Sequence, residues 1–144
     1  MSIAIPNENF IIRTKDTGII RFAYYRHIAP ITVRAFENAL PFTRVFYQAR
    51  TSGQEIWVDE APLLDIPQEN SSVFPEPGEI VIGPSKPSRN KIAGFMGIFY
   101  GEGRLLDSGN IFGKVWPEDL PLLSRLGECI WKEGARTLLF EKSK

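Results

Sequence analysis

The chain has 144 residues, and a domain of this length buries roughly two-thirds of the surface its unfolded chain exposes, so a full apolar core needs neither disulfides nor metal. Lys plus Arg number 17 and Asp plus Glu number 17, which leaves no net field to recruit nucleic acid or an anionic membrane, and neither is an expected partner. Cys129 is the only cysteine and His27 the only histidine, which excludes an intramolecular disulfide, a multi-cysteine zinc site and a His–His metal pair. No metal or other cofactor is therefore expected, and a reducing, cytoplasmic compartment is. The first ten residues carry no basic segment followed by an apolar one, and no run of about 18 apolar residues occurs, so neither secretion nor a membrane span is expected.

Residues 9–15 and 19–25 are two β-rich runs separated by Asp16-Thr17-Gly18, the pattern of a hairpin. In 29–41, Val33, Phe36 and Leu40 recur at helical spacing between Pro30 and Pro41, which predicts a short helix. Runs 43–50 and 54–59 are rich in aromatic and β-branched residues and are broken by Thr51-Ser52-Gly53, so they read as paired strands. Residues 63–66 read as a further short strand. The proline-bearing stretch 67–78, with Asn70, Ser71, Ser72 and Phe74, predicts a long ordered loop that delivers a strand at 79–83.

A polar connector over 84–90 leads to a strand at 91–100, whose glycines alternate with apolar side chains as in a strand packed against neighbouring backbone. A loop at 101–109 and a strand at 110–116 follow. Pro117-Glu118-Asp119 opens a second helix with acidic groups at its positive end, Leu122, Leu123, Leu126 and Ile130 form its apolar stripe, and Gly134 closes it before a strand at 135–141. The sum is one domain over residues 1–144, mainly β. It is expected to be a closed or nearly closed antiparallel barrel of about eight strands with two short helices, with Val33, Phe36, Leu126 and Ile130 buried against it.

This arrangement, with Ala29-Pro30-x-Thr32-x-x-x-Phe36, resembles the cyclophilin superfamily, whose first helix carries a similar pattern. A likeness over most of the chain is to a family of uncharacterised prokaryotic proteins with a cyclophilin-like fold. It is carried by Ala49-Arg50-x-Ser52-Gly53-x-x-x-Trp57, by Glu69-Asn70-Ser71-Ser72-x-Phe74-Pro75-x-Pro77-Gly78-Glu79-Ile80, by Gly109-Asn110-x-Phe112, and by Trp131-x-Glu133-Gly134-Ala135 leading to Phe140-Glu141. Prolyl-isomerising cyclophilins carry Phe-His-Arg followed by Gln-Gly-Gly, where this chain has Gln48-Ala49-Arg50 and Thr51-Ser52-Gly53. The resemblance therefore implies the fold, and places peptidyl-prolyl isomerase activity behind other readings.

Arg50, at the end of an aromatic strand beside a glycine turn, is the first candidate: its fork of donors suits a carboxylate or a carbonyl. The bland alternative is an exposed arginine, or one paired to Glu55. Trp57, Tyr100 and Asn110 are expected as neighbours in a substrate pocket, although a strand tryptophan is commonly core and Asn110 commonly a turn residue. Glu55 or Glu69 is the expected proton carrier, with Glu69 capping its own turn as the alternative. Cys129 reads as a buried core thiol and His27 as structural or exposed. The expected function is binding or transformation of a small anionic or amide-bearing metabolite near Arg50; the alternative is a non-catalytic binding or assembly module, such as a homo-oligomer.

Overall fold

The computed structural model describes residues 8–84 and 94–143. The first hairpin is β1 (Asn9–Thr14) and β2 (Gly18–Tyr24), paired in register from Asn9↔Ala23 to Thr14↔Gly18. Period-two alternation sends Phe10, Ile12, Ile20 and Phe22 to one face, where all four are fully buried. Helix α1 (Pro30–Ala39) follows and buries Thr32, Val33 and Phe36. Strands β3 (Phe42–Gln48) and β4 (Gly53–Val58), the two-residue β5 (Ser71–Ser72), β6 (Glu79–Ile82), β7 (Met96–Gly103) and β8 (Gly109–Val115) come next. A 3-10 turn (Pro117–Asp119) then leads into α2 (Leu120–Glu133) and β9 (Arg136–Lys142).

The strands are ordered β2-β1-β9-β3-β4-β7-β6-β8-β5, and a further antiparallel pairing of β2 with β8 closes the sheet. Eight strands thus form a closed antiparallel barrel, with β5 attached beside β8 through Ser71↔Asn110. Closure removes the free edges that an open sheet would present. The interior is filled by aromatic rings: Phe36 lies 4.9 Å from Phe10 and 4.8 Å from Phe112, and Phe140 stacks on Phe42 at 4.6 Å. Leu123, Leu126 and Ile130 of α2 seal the barrel alongside Gly127, where a Cβ would collide with the ring of Tyr100.

A second, smaller apolar cluster lies on the other face of the wall. Met96, Ile98 and Tyr100 of β7 join the main core, whereas Phe99 joins Val81, Phe95, Leu105 and Ile111, with Tyr25, Trp57 and Val73 packed against them. Strands β4, β6 and β7 are consequently covered on both sides.

Several sequence expectations are corrected. Residues 63–66 form no strand, because both edges of β4 are already taken by β3 and β7; the segment is an irregular stretch between Pro62 and Pro67, anchored by buried Ala61 and Ile66. The expected loop at 67–78 contains β5. Strand β7 starts at Met96 and continues to Gly103, into the expected loop, because Gly53 pairs with Gly103. Residues 91–93 of the expected strand, and 85–90 of the expected connector, lie outside the described residues. Cys129 is half-buried: Gly127 takes the core position beside Leu126.

The acidic start of the second helix has a specific partner. Asp119 accepts from the backbone N–H of Arg21 at 2.9 Å and from its Nε and Nη2 at 2.8 Å each, and the guanidinium lies 4.2 Å from the Trp116 ring centre. The hydrogen bonds from Arg21 hold the Asp119 carboxyl below its ordinary value. A depressed carboxyl stabilises the fold above its unfolded value, and that contribution fades as pH falls. Asp119→Ala is expected to cost about 2 kcal/mol at neutral pH. Urea titrations should find the gap from the parent chain narrowing below the ordinary carboxylate range; a gap independent of pH would contradict this.

Candidate functional site

The N-terminus of α1 begins at Ala29 and Pro30, neither of which offers a capping side chain, so its free N–H groups need acceptors from elsewhere. Glu69 supplies them. Its Oε2 accepts from Ile31 N at 3.2 Å, and its Oε1 accepts from Thr32 N and Thr32 Oγ1, both at 2.7 Å. Asn110 completes the junction: its Oδ1 accepts from Glu69 N at 3.1 Å, while its Nδ2 donates to Thr32 Oγ1 at 3.0 Å and to Pro67 O at 2.8 Å. Asn70, at a positive φ of 44°, donates its amide to Ile111 O. Glu69 and Asn110 are therefore brought together, as a clamp between α1, the long loop and β8. Every carboxylate and amide group in it is engaged.

Tyr100 faces the barrel interior. It is buried beneath α2 and donates its hydroxyl to Gln48 Oε1 at 2.6 Å. Trp57 and Glu55 lie on the opposite side of the wall, because β4 sends Ile56 and Val58 inward and the alternate residues outward.

Glu55 is the unusual residue. It is 0% exposed, and its Oε1 accepts a short hydrogen bond from the Ser52 hydroxyl across the turn that opens β4. Its Oε2 is buried and has no hydrogen-bond partner among the described residues. The carboxyl occupies the space a side chain would fill at Gly97: a Cβ there would collide with Oε2. Gly97 is the register partner of Trp57, and Phe99 is that of Glu55. Burial pushes the Glu55 carboxyl up to about 7, with the Ser52 hydrogen bond acting in the opposite direction.

Around this carboxyl the wall is aromatic. Trp57 stacks on Phe95 with centroids 4.8 Å apart and planes 9° from parallel. Tyr47, the cross-strand partner of Trp57, is 55% exposed. The turn itself depends on Gly53, at a φ of 108°, where a Cβ would come 2.7 Å from the carbonyl oxygen of Glu102. Arg50 stands exposed at the other end of this turn with no side-chain hydrogen bond or ion pair among the described residues. It is not the partner of Glu55; Ser52 is.

Sequence reasoning named Glu55 and Trp57 but missed Ser52 and Gly97. A glycine midway along an apolar strand was the available signal that something from the next strand fills its place. His27 is exposed. Among the described residues no cluster of three His, Cys, Asp or Glu side chains is placed to hold a metal, and no helix is long and apolar enough to cross a membrane.

The family described as "Protein of unknown function (DUF3830)" matches residues 16–141. The chain belongs to the DUF3830 family. No curated protein matches it. Among solved structures, McbB in complex with tryptophan has a TM-score of 0.73 at 16% identity, over 93% of this chain and 44% of McbB. This DUF3830 chain thus spans less than half the length of that relative. The hypothetical protein AF2241 from Archaeoglobus fulgidus has a TM-score of 0.64 at 19% identity, over 99% of this chain and 100% of its own. A cyclophilin type peptidyl-prolyl cis-trans isomerase from Cryptosporidium parvum, in the presence of the dipeptide Ala-Pro, has a TM-score of 0.60 at 13% identity, over 94% of this chain and 99% of its own. These likenesses establish the cyclophilin-like fold for this DUF3830 chain.

Two variants test the site's construction. Glu69→Ala, which uncaps α1, is expected to lower stability by about 1–2 kcal/mol in denaturant titrations. For Glu55 the sign is opposite to that of Asp119. A carboxyl raised from 4.5 to about 7 stabilises the fold fully below pH 4.5, and the contribution is lost as pH rises through 7. Its size is about 3 kcal/mol. Glu55→Gln, which cannot ionise, should be more stable than the parent at about pH 8 and lose that advantage in acid; parallel stability curves would show that Glu55 does not titrate this way.

Proposed function

We propose that the outer face of β4 and β7 is a site for a small organic metabolite, with Glu55 exchanging a proton with it and Arg50 holding carbonyl or carboxylate charge at the exposed end of the same turn. One observation carries this reading: Oε2 of Glu55 is buried without a hydrogen-bond partner among the described residues. An unmet buried acceptor costs about 1–3 kcal/mol, so the fold keeps a group there that its own packing does not use. A carboxyl poised at about 7 is matched to both giving and taking a proton at neutral pH. Trp57, stacked on Phe95, supplies a flat apolar wall beside it. The complex of McbB with tryptophan supports the reading by analogy, since a protein that contains a domain of this fold there binds a small aromatic molecule.

Binding and transformation draw on the same residues. A thermal-shift screen of metabolites should return a ligand that raises the melting temperature, because a ligand that binds only the native state must stabilise it. For a ligand with a carboxylate or carbonyl, Arg50→Lys should weaken binding about tenfold to a hundredfold, since an ammonium cannot reproduce two parallel donors. The unliganded melting temperature should stay put, because Arg50 is exposed. A broad screen without a hit, or a hit indifferent to both Arg50→Lys and Glu55→Gln, would reject the reading.

A further inference from the structure

The acceptors and donors around Glu55 define what a ligand must bring. Ser52 gives its hydroxyl hydrogen to Oε1, so it has none left for Oε2. The buried carboxylate of Glu79, two strands away on β6, is fully engaged, by Glu76 N at 2.6 Å and Tyr25 Oη at 2.7 Å. Among the described residues no guanidinium or ammonium pairs with Glu55. In the ionised form Oε2 is thus an acceptor in an apolar setting that only a donor from outside can satisfy, and a cationic donor, which also favours that ionised form, satisfies it best. A second carboxylate in the same place would add like charge and supply no hydrogen.

The surroundings add a shape. Trp57 is half-buried, with Phe95 stacked against it and Tyr47 alongside, and Gly97 contributes no side chain between Trp57 and the Glu55 carboxyl. A flat ring suits such a wall, because offset stacking of aromatic planes adds attraction beyond the area buried.

We infer that the ligand of this site is an arylalkylamine in its ammonium form, its N–H directed at Oε2 of Glu55 and its ring against Trp57. The inference rests on the small-molecule reading above and narrows it. Oε2 is closed to water in the free chain and fills the side-chain space of Gly97, so the amine reaches it only when the packing around the carboxyl opens.

Isothermal titration of the full chain with tryptamine, indole-3-propionate and 3-methylindole, which share one ring, tests it. Tryptamine should bind at least tenfold more tightly than the other two. Glu55→Gln should remove that advantage while its circular dichroism remains that of the parent. Trp57→Leu should weaken all three, which separates the ring contact from the amine contact. Tighter binding of indole-3-propionate, lost in Arg50→Lys, would overturn the amine assignment and leave the small-molecule site standing. No measurable binding of any of the three at millimolar concentration would overturn it as well, and the wider reading would then fall only if the metabolite screen were also empty.

Discussion

Closure of the barrel through β2 and β8 fixes where any site can be. With Phe10, Phe22, Phe36, Phe112 and Phe140 packed inside, the interior is a solid core. Interiors of this kind are packed as densely as organic crystals, and room for a ligand would require removing a ring. Function is therefore pushed to the outside of the wall, to places where the strands carry a second layer. The strands β4, β6 and β7 do so, and Glu55 lies within that layer.

Other buried acidic and amide groups of the chain set the standard against which Glu55 stands out. Asp119 uses both oxygens on Arg21, Glu79 uses both on Glu76 and Tyr25, and Asn110 uses its oxygen on Glu69 and its nitrogen on Thr32 and Pro67. These residues tie elements distant in sequence to one another. Burial is accompanied by full pairing in each of these three, whereas the Tyr24 hydroxyl in the main core, like Oε2 of Glu55, is buried without a hydrogen-bond partner among the described residues. Glu55 shares their burial but pairs only one of its two oxygens, and this contrast, more than its position alone, separates it from the other buried acids.

Much of the fold could be read from the residues because each face of each element is marked. Val33 and Phe36 in α1, and Leu123, Leu126 and Ile130 in α2, keep helical spacing, and all are buried. The reading failed where local pattern and tertiary pairing part company. Leu63, Leu64 and Ile66 look like strand residues, but both edges of β4 are taken by β3 and β7, whereas Ser71 and Ser72 look like loop residues and pair with Asn110 and Gly109 at the start of β8. At the site, Tyr100 was grouped with Trp57 by chemistry, but the two lie on opposite sides of the wall, a distinction set by the register of β7 against β4. Glu69 capped a helix rather than its own turn because its partner, Thr32, is 37 positions away and invisible to local reasoning.

Strand β9 sits between β1 and β3, so the barrel wall is completed by residues far along the chain from the first hairpin; Arg13 and Glu141, which pair across that seam, are 128 positions apart. During synthesis the nascent hairpin and β3 must wait on the ribosome with their adjoining backbone unpaired. Topologies of such high contact order fold slowly. For this chain the dangerous interval comes before the wall is complete, when two apolar strands offer templates to any neighbouring copy.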